Sequence, residues 1–321
     1  MEGIESVTGP VAPEALGFVL SHEHVACASA GIVRSWPSLF GGRERLIERA
    51  TTALADARAA GVDTIVDATT FDLGRDIELL AEVARRSGMT ILASTGHWLA
   101  PSPTMLARTV EQLADLFTRD LTEGADGTTI RAAVIKVASE EAVEPFDERV
   151  LHAAARAHLA TGGAPILTHA AARHRIGDGQ ADILEADGVD ASRVVIGHSD
   201  DSTDITYLIG LLERGFRIGM DRLPNGAMPE YGPQSVDDRI EMIVRLVDAG
   251  FADRLVLAHD DPIWAGLLTE VDQARHLASN PDLLAFVSRR VIPGLRARGV
   301  DDEAIRQMTV TSPRAWLTGV A

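Results

Sequence analysis

Lysine is almost missing from this chain of 321 residues: Lys136 is the only one, although Lys+Arg together number 30. With a net charge of −17 and no lysine-rich stripe to neutralise phosphates, the composition argues against nucleic acid as a partner. Cysteine is equally scarce. Cys27 stands alone, which excludes an internal disulfide framework and fits a reducing, cytoplasmic compartment. Long apolar runs are absent too, so no segment is expected to span a bilayer, and Met1–Pro10 has neither the basic start nor the apolar core of a signal peptide. Internal repeats, low-complexity tracts and linkers are not found either. The expectation is one domain over residues 1–321, a length within the range of a single α/β barrel.

What is present alternates. Short β-branched runs at Phe18–Ser21, Thr64–Ala68, Thr90–Ser94, Ala132–Val137, Pro165–Thr168, Val194–Ile196, Arg217–Met220 and Leu255–Ala258 read as strands. Between them lie helical stretches such as Glu44–Ala60, Asp76–Ser87, Met105–Leu121, Asp147–Ala160, Asp204–Arg214 and Val236–Ala249. Eight such units with near-continuous apolar strands predict an α/β fold, a parallel (β/α)8 TIM barrel, rather than an open doubly wound sheet. Two connections are unusually long, 222–235 after the seventh strand and 261–280 after the eighth; in a barrel such loops shape the substrate pocket. Asp301–Leu317 reads as helices closing the barrel, with Ser312-Pro313 a helix start.

The lone lysine lies inside an apolar strand, Arg-Ala-Ala-Val-Ile-Lys-Val. Arginine stays charged, whereas a buried lysine readily loses its proton. A neutral amine can add to carbon dioxide, giving a carbamate able to bridge two cations. The alternative is a snorkelling or salt-bridged lysine in an arginine-rich protein. The neighbouring strands bear on the choice. His22 and His24 close the first strand two residues apart, and the ends of the fifth, sixth and eighth carry His169, His198 and Asp260. The C-terminal ends of barrel strands are where such folds place chemistry. Four imidazoles, a carboxylate and a carbamate suit Zn2+, Co2+, Mn2+ or Fe. A single catalytic zinc takes about three protein ligands, so six imply two divalent metals. His152, His158 and His276 sit on helical segments without a convergent partner and read as surface or packing residues; His174 falls close to the mouth. His259 should point away from the barrel axis on an ideal strand, and Cys27 reads as packing.

These residues resemble the phosphotriesterase family of the amidohydrolase superfamily across nearly the whole chain. The markers are Gly17-Phe-Val-Leu-Ser-His22-Glu-His24, Val134-Ile-Lys136-Val-Ala, Thr168-His169, Ile196-Gly-His198-Ser-Asp-Asp201, Gly219-Met-Asp221-Arg222 and His259-Asp260. The resemblance implies that His22, His24 and Asp260 hold a buried metal, His169 and His198 a more exposed one, and that carboxylated Lys136 and a hydroxide bridge them in a homodimer. It makes Asp260 the proton acceptor and Asp201 part of a proton relay. The chain departs at the next relay position, where Arg222 replaces a histidine and has no acceptor. Arg222 is similar to the lactone-hydrolysing members. Trp98 instead resembles the aromatic wall of the organophosphatases. Leu99, Met228, Ile263 and Trp264 are candidates for an apolar pocket, and Tyr231 and Trp264 for substrate contacts. Phosphotriester hydrolysis is the expected activity, with lactone hydrolysis at the same site as the alternative.

Overall fold

Eight parallel strands follow one another round the molecule in chain order: β1 (Val19–Glu23), β2 (Thr64–Asp67), β3 (Thr90–Gly96), β4 (Val134–Ser139), β5 (Ile166–Ala170), β6 (Val194–Gly197), β7 (Arg217–Met220) and β8 (Leu255–Leu257). The computed structural model describes residues 3–224 and 234–320. β8 returns beside β1, where Ser21 Oγ donates to Leu257 O at 3.3 Å and the Asp260 N–H to His22 O at 3.0 Å. With helices outside each crossover this is the expected (β/α)8 barrel.

Strand alternation sorts the apolar residues into two cores. Val19, Val66, Leu92, Val134, Leu167, Val195 and Val256 point into the barrel and pack on Trp316. Their neighbours Leu20, Ile65, Ile91, Ile135, Ile166 and Ile218 point outward under the helices. The period of two therefore places Lys136 and His169 on the inward face, two residues beyond Val134 and Leu167.

The other four candidates, His22, His24, His198 and Asp260, reach the mouth only through departures from regular strand geometry. In β1, Leu20 pairs with Ile65 but Glu23 with Asp67, so β1 carries one extra residue. This bulge re-aims the strand, because simple alternation would put His22 on the outward face of Leu20. His198 (φ 58°) and Asp260 (φ 49°) take left-handed backbone conformations just past β6 and β8.

The helices follow the sequence reading with local changes. Met105–Leu121 divides into Pro103–Leu106 and Val110–Thr122, because Thr109 and Gln112 form a capping box that starts a second helix. An amphipathic helix at Ile176–Ala186 occupies the β5–β6 crossover. Ser312-Pro313 continues from a π turn at Gln307–Thr311 rather than opening an isolated helix. Among the described residues, no helix is long and apolar enough to cross a membrane.

Candidate active site

The six expected ligand residues meet at the C-terminal mouth. His22, His24, Lys136, His169 and Asp260 line a cavity of about 170 Å3, and His198 stands directly beneath, with its Nε2 2.8 Å from His169 Nδ1. Ligand atoms of His22, His198 and Asp260 lie within 4.8 Å of one another. His22 Nε2 is 2.9 Å from Lys136 Nζ and 3.4 Å from Asp260 Oδ1, and His24 Nε2 is 3.2 Å from the same oxygen. A larger cleft of about 540 Å3 opens beside the helix 77–87. Of its three arginines, Arg34, Arg43 and Arg75, the last two pair with Asp76, Asp120 and Asp126, and no histidine or lysine lines it; the cluster of histidines, lysine and aspartate lies in the smaller cavity.

Each imidazole is oriented through its outer nitrogen. Asp221 Oδ2 accepts from His22 Nδ1 at 2.8 Å, and Oδ1 accepts from His198 Nδ1 at 3.0 Å and from the His198 backbone N–H at 2.7 Å. Gly197 and Gly219 make this possible: a Cβ at either would come within 3.0 Å of the Asp221 carboxylate. His24 Nδ1 shares a hydrogen bond with Thr69 Oγ1 (2.9 Å), and His169 Nε2 donates to Glu140. With the outer nitrogens donating, His198 Nε2 and His169 Nδ1 turn lone pairs towards each other. A cation bound by both nitrogens would satisfy that donor set.

The electrostatics agree for three of the four imidazoles. Burial, followed by the Lys136 charge, lowers the pKa of His22 to about 4. Burial and then Arg222 hold His198 well below its ordinary value, and burial lowers His169 despite Glu140. These three imidazoles are neutral at neutral pH, whereas burial at His24 is outweighed by Cys27 and Asp260, which raise it well above its ordinary value. Burial alone would raise Asp260, but His22, His198 and the His24 hydrogen bond outweigh it, leaving a carboxylate. Lys136 is 1% exposed and is lowered to about 8, chiefly by burial. The shift makes the neutral amine more accessible near neutral pH than in an exposed lysine.

The wall of the cavity differs in part from the expectation. Trp98 lines it together with Leu73, Pro262, Ala265, Leu267 and Leu268. Leu99 is half-buried but does not line it. Ile263 is fully buried in the outer core, and Trp264 packs edge-on to Phe40 with ring centroids 4.2 Å apart. Apolar loop residues can join a core as readily as a pocket, and these two do so. Tyr231 and Met228 lie outside the described residues. Two residues read as packing also face the cavity: Cys27, and His276, whose ring is held by the buried Asp261. His152 pairs with Asp187, His158 with Ala164 O, and His174 with Glu141.

Arg222 connects two carboxylates. Its Nε donates to Asp260 Oδ2 at 3.2 Å and its Nη1 to Asp201 Oδ2 at 2.7 Å, while Arg239 Nη2 holds the other Asp201 oxygen at 2.7 Å. Asp201 therefore lies beyond a guanidinium as seen from Asp260. Asp221, Thr69 and Glu140 are the orienting residues that sequence reasoning left out. Asp221 carried a signal, the Gly-Met-Asp-Arg marker with glycine two residues before it.

Comparison with known proteins gives concordant results. The model of the phosphotriesterase family matches residues 2–317. The chain is 36% identical over 326 residues to a phosphotriesterase homology protein of Mycobacterium tuberculosis, covering 98% of this chain and 97% of that protein. It is 31% identical over 306 residues to the aryldialkylphosphatase of Saccharolobus solfataricus (94% and 95% covered). A similarity of 27% over 351 residues extends to the N-acetyltaurine hydrolase of Xenopus tropicalis (98% and 97% covered).

Proposed function

Because the chain belongs to the phosphotriesterase family, we propose that it is a two-metal hydrolase of uncharged esters, with phosphotriesters such as aryl dialkyl phosphates as its leading substrates. The observation that carries this reading is the convergence of four imidazoles, Asp260 and Lys136 on one small, partly apolar cavity. His22, His24 and Asp260 would hold an inner ion, and His169 and His198 an outer one. A set of imidazoles and one carboxylate suits Zn2+, with Co2+, Mn2+ or Fe as substitutes. Lys136 Nζ, forming a bond to carbon dioxide and releasing one proton, would bridge them as a carbamate. Two such ions supply a water of lowered pKa as nucleophile and a Lewis acid for the ester oxygen.

The chain's own groups do the rest. Asp221 and Thr69 keep the imidazoles turned inward. Asp260 takes the proton of the attacking water. Trp98 and Leu73 exclude water from one side and receive the apolar leaving group of an aryl phosphate. We read residues 1–321 as one domain and as a homodimer; exposed Trp36 (57%) and Leu39 (65%) offer apolar surface for such a contact, and sedimentation velocity tests it.

A second reading, lactone hydrolysis, is favoured by Arg222. With a guanidinium between Asp260 and Asp201, a proton taken by Asp260 has no onward acceptor there. A retained proton suits a substrate whose alkoxide leaving group must be reprotonated. An aryl phosphate releases a phenolate that needs none. The test compares kcat/KM of zinc- and cobalt-loaded protein for a nitrophenyl dialkyl phosphate and an acyl-homoserine lactone. Preference for the phosphate by orders of magnitude supports the leading reading, and the reverse replaces it with the second. No turnover of either, with both metals bound, sinks both.

A further inference from the structure

Two buried side chains stand behind the metal-facing groups and do not line the cavity. Glu23 lies between the two histidines of β1, His259 directly precedes Asp260, and both are fully buried. Glu23 Oε1 accepts from the His259 backbone N–H at 3.0 Å and from ring Nδ1 at 2.6 Å. At the other side of the ring, Nε2 accepts from the Val287 N–H at 3.0 Å. Donating at Nδ1 while accepting at Nε2 fixes one neutral tautomer. The imidazole thus fastens the turn after β8 both to β1 and to the C-terminal helical segment at Val287.

That turn holds Asp260 at φ 49°, a left-handed conformation in which residues with side chains are strained. Strain of this kind persists only where the surroundings over-determine it. Among the described residues the surroundings include the Asp260 N–H to His22 O and Ile263 N–H to His24 O bonds, both 3.0 Å, the Arg222 Nε bond to the Asp260 carboxylate at 3.2 Å, and the Glu23–His259 pair, which alone ties the backbone of the residue before Asp260 to a β1 side chain. Relaxing the turn would carry the Asp260 carboxylate away from His22 and His24, 3.4 and 3.2 Å distant.

We infer that Glu23 and His259 are positioning residues: they hold Asp260 in its left-handed conformation and thereby set the affinity of the inner metal position. The inference rests on the two-metal reading of the preceding section. The pair touches neither substrate nor reacting atoms.

The experiment measures Zn2+ and Co2+ dissociation constants of the metal-depleted full chain by chelator competition, with Co2+ absorption spectra as a second readout. It compares wild type with His259→Phe, His259→Asn and Glu23→Ala. Two ions should bind wild type. His259→Phe and Glu23→Ala should each weaken one ion by about 10- to 100-fold, leave the other within about threefold, and alter the spectrum of one cobalt only. His259→Asn, whose amide N–H reaches Glu23 from near the Nδ1 position, should recover most of the loss. If His259→Phe does not fold, Glu23→Ala, which removes less buried volume, decides alone. Unchanged dissociation constants of folded variants, even with a lowered melting temperature, overturn the inference and leave the metal reading standing. A wild-type chain that binds no metal overturns both.

Discussion

The two ends of the barrel interior are built from the same strands and serve opposite purposes. At the lower end Val134, Leu167, Val195 and Val256 pack around Trp316, whose Nε1 donates to Ile166 O at 3.2 Å and to Arg193 O at 3.1 Å. Two residues further along β4 and β5 the same inward face carries Lys136 and His169. On the proposed function, stability and chemistry occupy different layers of one interior, and each layer should fail without the other.

The largest expected effect lies at the upper layer. Lys136→Ala should lower kcat/KM by about 10^3-fold or more through loss of the shared ligand, while the metal-free melting temperature stays within a few degrees of wild type. Retention of a tenth of the activity would remove Lys136 from the mechanism. Trp316→Ala should do the converse. Unfolding free energy should fall by about 3–5 kcal/mol, measured by denaturant titration, with kcat unchanged wherever the variant is folded. A drop in kcat comparable to that of Lys136→Ala would mean the layers are not separable.

Within the upper layer the support is unequal, which sharpens the comparison. Asp221 is fully buried and serves two histidines, whereas Glu140, 41% exposed, serves His169. Asp221→Ala should weaken metal retention about 10- to 100-fold, and Glu140→Ala should do so less and for the outer ion alone. Isothermal titration with Zn2+ resolves the two, and equal losses would contradict the asymmetry. The smallest effect concerns the lower end in acid. Burial lowers the pKa of His158 below its ordinary value of 6.5, with its Nδ1–H donating to Ala164 O. The folded state then binds fewer protons than the unfolded one, so the contribution of His158 is complete above pH 6.5 and is lost as pH falls towards the lower folded value. His158→Gln should flatten that part of the stability profile.

The repeating parts of this structure were legible in the sequence. Each strand is an apolar run whose burial on both faces leaves little ambiguity, and parity alone puts Lys136 beside Val134 and His169 beside Leu167. The exceptions were not legible. An extra residue in β1 and positive φ at His198 and Asp260 depend on pairing across the barrel, which no local pattern encodes. Trp264 reads as a pocket residue because an apolar side chain in a loop looks the same in sequence whether it faces a ligand or Phe40. Among the described residues His276 shows no partner on its own helical segment, because Asp261 meets it only through the fold.

The solitary lysine also makes the molecule its own single-site reporter. Growth on isotope-labelled lysine would place one labelled side chain in a protein of 34.3 kDa, at the centre of the donor cluster. One carbon-13 resonance from labelled carbon dioxide, or its absence, would then read out the chemical state of that amine without assignment of the rest of the spectrum.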